Sequence, residues 1–144
     1  MSSLSPLSPH WTLDHVGIAV ADLTRSLAIY RDIFGMEIEL REHVPEHAVD
    51  VVFLRSGATS IELIQPLEGN SALKRFLERR GEGMHHVAFA VPDLAAELRL
   101  LDGRGVVLID KLPRPGSRGC HVAFLHPQSC GGTLIELCEY PKPS

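Results

Sequence analysis

The chain has 144 residues, 44% of them hydrophobic and 22% charged, and a formal net charge of −4. That composition fits one ordinary globular domain. It contains no apolar run near the about 20 residues that a membrane helix needs, and its acidic balance speaks against a nucleic-acid surface.

Residues 1–12 are rich in Ser, Pro and Leu and have no cationic start, so they read as a flexible leader and not as a signal peptide. A single domain is expected over 13–141. Residues 15–20 alternate and are β-branched, as in a strand. Asp22 or Thr24 can cap a helix that places Leu23, Leu27, Tyr30 and Phe34 on one face until Gly35 stops it. Strands follow over 37–41, 49–54 and 61–64, which completes a β-α-β-β-β module at about 13–68. A helix capped at Asn70 or Ser71 and ended by Gly81 links this module, over 70–81, to a second. The second module, about 83–141, runs in the same order. It has a strand over 84–91, a helix from Asp93 to about Gly103, a strand over 106–109, a loop over 113–119, a strand over 121–125, a turn over 126–132 and a last strand over 134–139.

The halves echo each other in detail. Asp14-His15-Val16-Gly17-Ile18-Ala19-Val20 recurs as His85-His86-Val87-Ala88-Phe89-Ala90-Val91, so that His15 and His86 are matched. Ser60-Ile61-Glu62-Leu63-Ile64 recurs as Leu134-Ile135-Glu136-Leu137-Cys138, which matches Glu62 with Glu136. Strand alternation puts His15 with Gly17 and Ala19, and His86 with Ala88 and Ala90, so the histidine faces carry small residues and leave room. A carboxylate flanked by Ile and Leu is costly to bury unless it is paired or holds a metal. A lone strand histidine is ordinarily structural, and one apolar-flanked Glu ordinarily faces solvent. A symmetric quartet of His15, Glu62, His86 and Glu136 points instead to one divalent metal shared between the halves. Two imidazoles and two carboxylates suit cobalt, manganese, nickel or zinc. His85 aligns with Asp14 and is placed on the strand's other register or edge. His10, His43, His47 and His121 have no matched partner and read as surface or packing residues, and His126 reads as a turn cap. Cys120, Cys130 and Cys138 form no paired motif, as expected of reduced thiols in a cytoplasmic protein.

This repeat resembles the vicinal oxygen chelate (glyoxalase-like) superfamily. Four stretches are similar, more narrowly, to methylmalonyl-CoA epimerases. The first is Leu13-Asp14-His15-Val16-Gly17-Ile18-Ala19-Val20. The second is Pro45-Glu46-His47 ahead of Val52-Phe53-Leu54, and the third is Gly83-Met84-His85-His86-Val87-Ala88-Phe89. The most specific is Phe124-Leu125-His126-Pro127-Gln128-Ser129-Cys130-Gly131-Gly132-Thr133-Leu134-Ile135-Glu136-Leu137.

The resemblance implies an α+β fold of two βαβββ modules paired into an eight-stranded curved, half-open barrel around one metal site. It implies His15 and His86 as imidazole ligands, Glu136 as the last-strand carboxylate, and Glu62 at a place where some epimerases have Gln. It implies interconversion of (R)- and (S)-methylmalonyl-CoA by proton removal at C2 through a metal-stabilised enolate. Glu136 is then the favoured proton-transfer group, and Glu62, a bound water or another residue serves the opposite face. Some members carry a Glu on the third strand where Val51 stands here, with Asp50 beside it facing the other way. An acyl-CoA partner and a homodimer are also implied. Lys111, Arg114 and Arg118 either meet CoA phosphates or form a solvated loop cluster. A glyoxalase I acting on a glutathione thiohemiacetal, an extradiol dioxygenase and a non-catalytic ligand-binding member are the rival readings.

Overall fold

The computed structural model describes residues 11–143. The chain is of the α+β class, and the β-α-β-β-β order occurs twice along it. In the first half come β1 (Thr12–Ala19), α1 (Leu23–Leu27), β2 (Ile38–Val44), β3 (Val49–Ser56) and β4 (Thr59–Pro66). Helix α2 (Ser71–Arg80) follows. The second half holds β5 (Gly83–Ala90), α3 (Leu94–Gly103), β6 (Arg114–Pro115), β7 (His121–Leu125) and β8 (Ile135–Glu139). The described residues form two compact units, 14–87 and 88–143 with 11–13. The dividing line falls inside β5, so His86 belongs with the first half of the chain.

In residues 14–87 the strands lie in the order β2-β3-β4-β1-β5. β1 pairs parallel to β4 with Gly17 opposite Glu62, and β4 pairs antiparallel to β3 with Glu62 opposite Phe53. One face of this sheet packs Val20, Leu63, Val52 and Leu54 against Leu23 and Leu27 of α1. The other cluster gathers Ala19, Val51, Phe53 and Ile64 with Leu73 of α2. Asp22 caps α1, its carboxylate accepting from the Arg25 N–H. The helix does not continue as α to Phe34, however. Ala28–Ile33 forms wider turns, in which the Phe34 N–H reaches the Ile29 carbonyl across five residues and the Met36 N–H reaches Tyr30.

In the second unit, the end of β5 is followed in the sheet by β8, β7 and β6. Its core sets Leu94, Leu98 and Leu101 of α3 against Ala123, Leu125 and Leu137. Asp93 caps α3 through the Ala96 N–H, and the Glu139 carboxylate accepts from the Leu94 N–H.

Three expectations need correction. Residues 106–109 form no strand ladder, only a bridge between Leu108 and Leu125. The Asp110 carboxylate takes the Phe124 N–H, while the Ile109 and Asp110 N–H groups both turn to the Phe124 carbonyl, so pairing cannot propagate. β6 lies instead at Arg114–Pro115, inside the stretch expected to be a loop. Trp11 and Thr12 are not leader. Trp11 packs on the α3 core with its ring centroid 5.8 Å from that of Phe89, and Thr12 opens β1. Burial of a large aromatic surface outweighs the ordering of two residues. The remaining leader expectation, including His10, lies outside the described residues. No helix among the described residues is long and apolar enough to cross a membrane, and Cys120, Cys130 and Cys138 are free thiols.

Candidate metal centre

β1 and β5 each turn one histidine inward. Along β1 the buried residues are His15, Gly17 and Ala19, as strand alternation requires. Along β5, His86 and Ala88 are buried while Met84 is exposed. The absence of a side chain at Gly17 decides what lies between them. A Cβ built there collides with the His86 imidazole, so the ring occupies the space that glycine leaves. Gly17 sits in register with Glu62, and the same gap therefore seats His86 beside that carboxylate.

Three donor atoms converge as a result. Glu62 Oε1 lies 3.3 Å from His15 Nε2 and 3.1 Å from His86 Nε2, and the two Nε2 atoms are 3.2 Å apart. His15 and His86 are each only 3% exposed and Glu62 is 6% exposed. The Phe53 ring stands edge-on to His15 with centroids 5.4 Å apart and closes one side. Burial, the largest single influence on Glu62, pushes its carboxyl up. Hydrogen bonds from His15 and His86, with the charge those rings can carry, outweigh it and hold Glu62 well below the usual carboxylate range.

Each imidazole is held from behind. His15 Nδ1 is 2.6 Å from the Asp14 carboxylate, and His86 Nδ1 is 3.0 Å from His85 Nδ1. The outer nitrogen is thus engaged in both rings and Nε2 is left for the centre, the arrangement that orients histidine ligands in metalloproteins. These two partners are what the sequence reading missed. His85 is no bystander at the strand edge, since it bonds the very histidine it precedes. The signal was present, because the repeat aligns Asp14 with His85.

The donor set passes a test for a divalent ion. At about 2.0–2.2 Å from nitrogen or oxygen ligands, a common ion brings neighbouring donors to about 3 Å, near the spacings found. The lowered Glu62 carboxyl is also in the ionised state that coordination requires.

The other expected residues lie as follows. Glu136 is buried on β8, in register with Phe124 of β7, in the second unit. Val51 is 2% exposed and packed in the apolar cluster with Phe53, whereas Asp50 turns outward and pairs with His43 at 2.8 Å. The third strand thus supplies no acid or base to this face. His126 accepts the Gln128 N–H and caps a short turn. Arg114 is paired with Asp110 at 2.9 Å, Arg118 donates to the Tyr140 hydroxyl at 2.6 Å, and Lys111 is exposed.

Residues 14–124 match the family described as the Glyoxalase/Bleomycin resistance protein/Dioxygenase superfamily. The ethylmalonyl-CoA/methylmalonyl-CoA epimerase of Cereibacter sphaeroides is 41% identical over 127 residues, which cover 87% of this chain and 95% of that protein. The mitochondrial methylmalonyl-CoA epimerase of Mus musculus is 37% identical over 140 residues, covering 94% of this chain and 79% of that protein. A solved structure of methylmalonyl-CoA epimerase in complex with methylmalonyl-CoA and NH4+ superposes with a TM-score of 0.85 at 34% identity, over 90% of this chain and 94% of that one. With the superfamily matched across most of the chain and epimerases similar along nearly all of it, the chain is an enzyme belonging to the methylmalonyl-CoA epimerase family.

Proposed function

We propose that this chain is a metal-dependent epimerase that interconverts (R)- and (S)-methylmalonyl-CoA by moving the proton at C2. The observation that carries the reading is the convergence of His15 Nε2, His86 Nε2 and Glu62 Oε1 at 3.1 to 3.3 Å in a chain of this family. His15, Glu62, His86 and Glu136 are the residues that would hold the ion, and their nitrogen and oxygen donors suit cobalt, manganese, nickel or zinc. A divalent cation so held supplies Lewis-acid stabilisation of the negative charge that spreads onto the acyl oxygens as C2 loses its proton.

The chain's own residues divide the remaining work. Glu62, kept ionised by two imidazoles, is suited to holding a cation and poorly suited to taking a proton, since a carboxylate held low is a weak base. Glu136 is the better candidate for proton transfer on one face of C2. Phe53, edge-on to His15, gives the site an apolar wall, and apolar surroundings strengthen electrostatic interactions. The domain, begun at Trp11 and not at residue 13, is proposed to span 11–141, to act as a homodimer on an acyl-CoA and to work in the cytoplasm, where its free thiols remain reduced.

The test is deuterium uptake in heavy water. Methylmalonyl-CoA should gain label at C2 with metal-loaded protein, and EDTA should stop it. Propionyl-CoA lacks the second oxygen-bearing arm and should exchange very slowly, because one-point attachment does not orient the C–H bond. Glu62→Gln should retain metal and appreciable activity. Glu136→Gln should lose about 10²-fold or more in kcat, the usual scale for a positioned base. Comparable labelling of propionyl-CoA, or equal loss from both substitutions, would overturn this division of roles. Rapid formation of lactoylglutathione would move the chain to the glyoxalase reading.

A further inference from the structure

The residue preceding each histidine of the cluster reaches the outer nitrogen of that ring, but the two copies of the repeat use different chemistry to do it. Behind His15 stands a carboxylate, Asp14. Behind His86 stands a second imidazole, His85, with the rings at 87° and their centroids 5.3 Å apart. We propose that His85 is a positioning residue for the metal centre, the acceptor that fixes the His86 proton on Nδ1 and so frees His86 Nε2 to coordinate. The inference rests on the reading of His86 as a ligand.

A hydrogen bond between two ring nitrogens requires one bare and one protonated partner. The Nδ1 atoms of His85 and His86 are 3.0 Å apart. A His86 that coordinates through Nε2 has its proton on Nδ1, so the bare partner is His85 Nδ1 and the His85 proton sits on its own Nε2. His85 is itself braced. The Phe76 ring meets it edge-on, with centroids 4.9 Å apart, and the Arg80 guanidinium lies 5.6 Å over the Phe76 ring. Phe76 and Arg80 both belong to α2, so the helix that links the repeats also orients one ligand. A neutral ring is a weaker acceptor than a full carboxylate. His86 should therefore depend on its partner for orientation, where His15 also gains basicity from the charge on Asp14.

The test combines metal affinity with nitrogen-15 spectra of the full chain, neither of which relies on turnover. In zinc-loaded wild-type protein, His85 should be the neutral ring with its proton on Nε2 and with Nδ1 accepting from His86. A proton on His85 Nδ1 overturns the proposal with no variant needed. His85→Ala should lower cobalt affinity about 10- to 100-fold with the circular dichroism spectrum unchanged. His85→Asn, whose side-chain carbonyl can accept the same proton, should recover most of the loss, and His85→Asp should match or exceed wild type. Wild-type affinity in His85→Ala, or equal weakening in the Ala and Asn variants, overturns it. His86→Ala serves as the separate control. If it binds cobalt as tightly as wild type, the ligand reading fails, whatever His85 does.

Discussion

Gly17 shows how much one missing side chain decides. Its backbone is ordinary strand, so conformational freedom is not the reason for glycine there. The reason is a close approach, since the His86 ring fills the volume a methyl group would take in the row that also holds Glu62. Gly17→Ala should push the ring away from Glu62. Overpacking of this kind costs about 1–3 kcal/mol, and metal affinity should fall at least about tenfold, the equivalent of about 1.4 kcal/mol. Denaturant unfolding and equilibrium dialysis would measure the two effects. Undiminished affinity would mean that the ring can leave Gly17 without leaving the site.

At the scale of elements, one side chain ties two connections of the first unit together. Asn70 caps α2 through the Leu73 N–H at 2.9 Å, and its amide also donates to the His47 carbonyl at 2.9 Å. One side chain thus joins the start of α2 to the turn that feeds β3. Asn70→Ala removes both bonds and should cost about 1–2 kcal/mol, the upper part of the range for a lost cap. Asn70→Asp keeps the cap but not the donor, and should fall between Ala and wild type in urea midpoint. If Asp and Ala match, the cap carries none of the stability. The widened turns at Ala28–Ile33 were not legible in the sequence, because Leu23, Leu27, Tyr30 and Phe34 keep helical spacing in either winding. In the widened form Phe34 is 62% exposed and Ile33 74%. The false strand at 106–109 arose in a similar way, since its β-branched residues are strand-like but Asp110 takes the N–H that pairing would need.

For the whole molecule, the lowered Glu62 carboxyl links stability to acidity. A carboxyl lowered by folding adds stability that is present above its unfolded value, about 4.3. That stability is lost as the pH falls through the lower folded value. The metal-free protein should therefore lose stability progressively below about pH 5, and Glu62→Gln should flatten that acid limb. Urea midpoints taken between neutral pH and the acid range would show it, and equal slopes in the two proteins would mean that Glu62 is not the linked group. Adding cobalt should raise the neutral midpoint of wild type in proportion to the logarithm of free metal, and should do so far less in His86→Ala.

The sequence by itself determined the repeat, the α+β class, the order of most elements and the inward face of the two histidine strands. All of these follow from local periodicity and from comparing one half with the other. It also singled out His15, Glu62, His86 and Glu136, because a small-residue face beside a histidine and a carboxylate between aliphatic residues are departures visible in the chain itself. Only the tertiary structure decided what those departures mean to one another. The register of β1 on β4 sets Gly17 beside Glu62, and the gap at Gly17 draws His86 in from a strand distant in sequence. Asp14 and His85 then hold the outer nitrogens of the two rings. The physical reason is that alternation fixes which way a side chain points. Which atoms it meets depends on pairing register and on the volume that neighbouring strands leave empty.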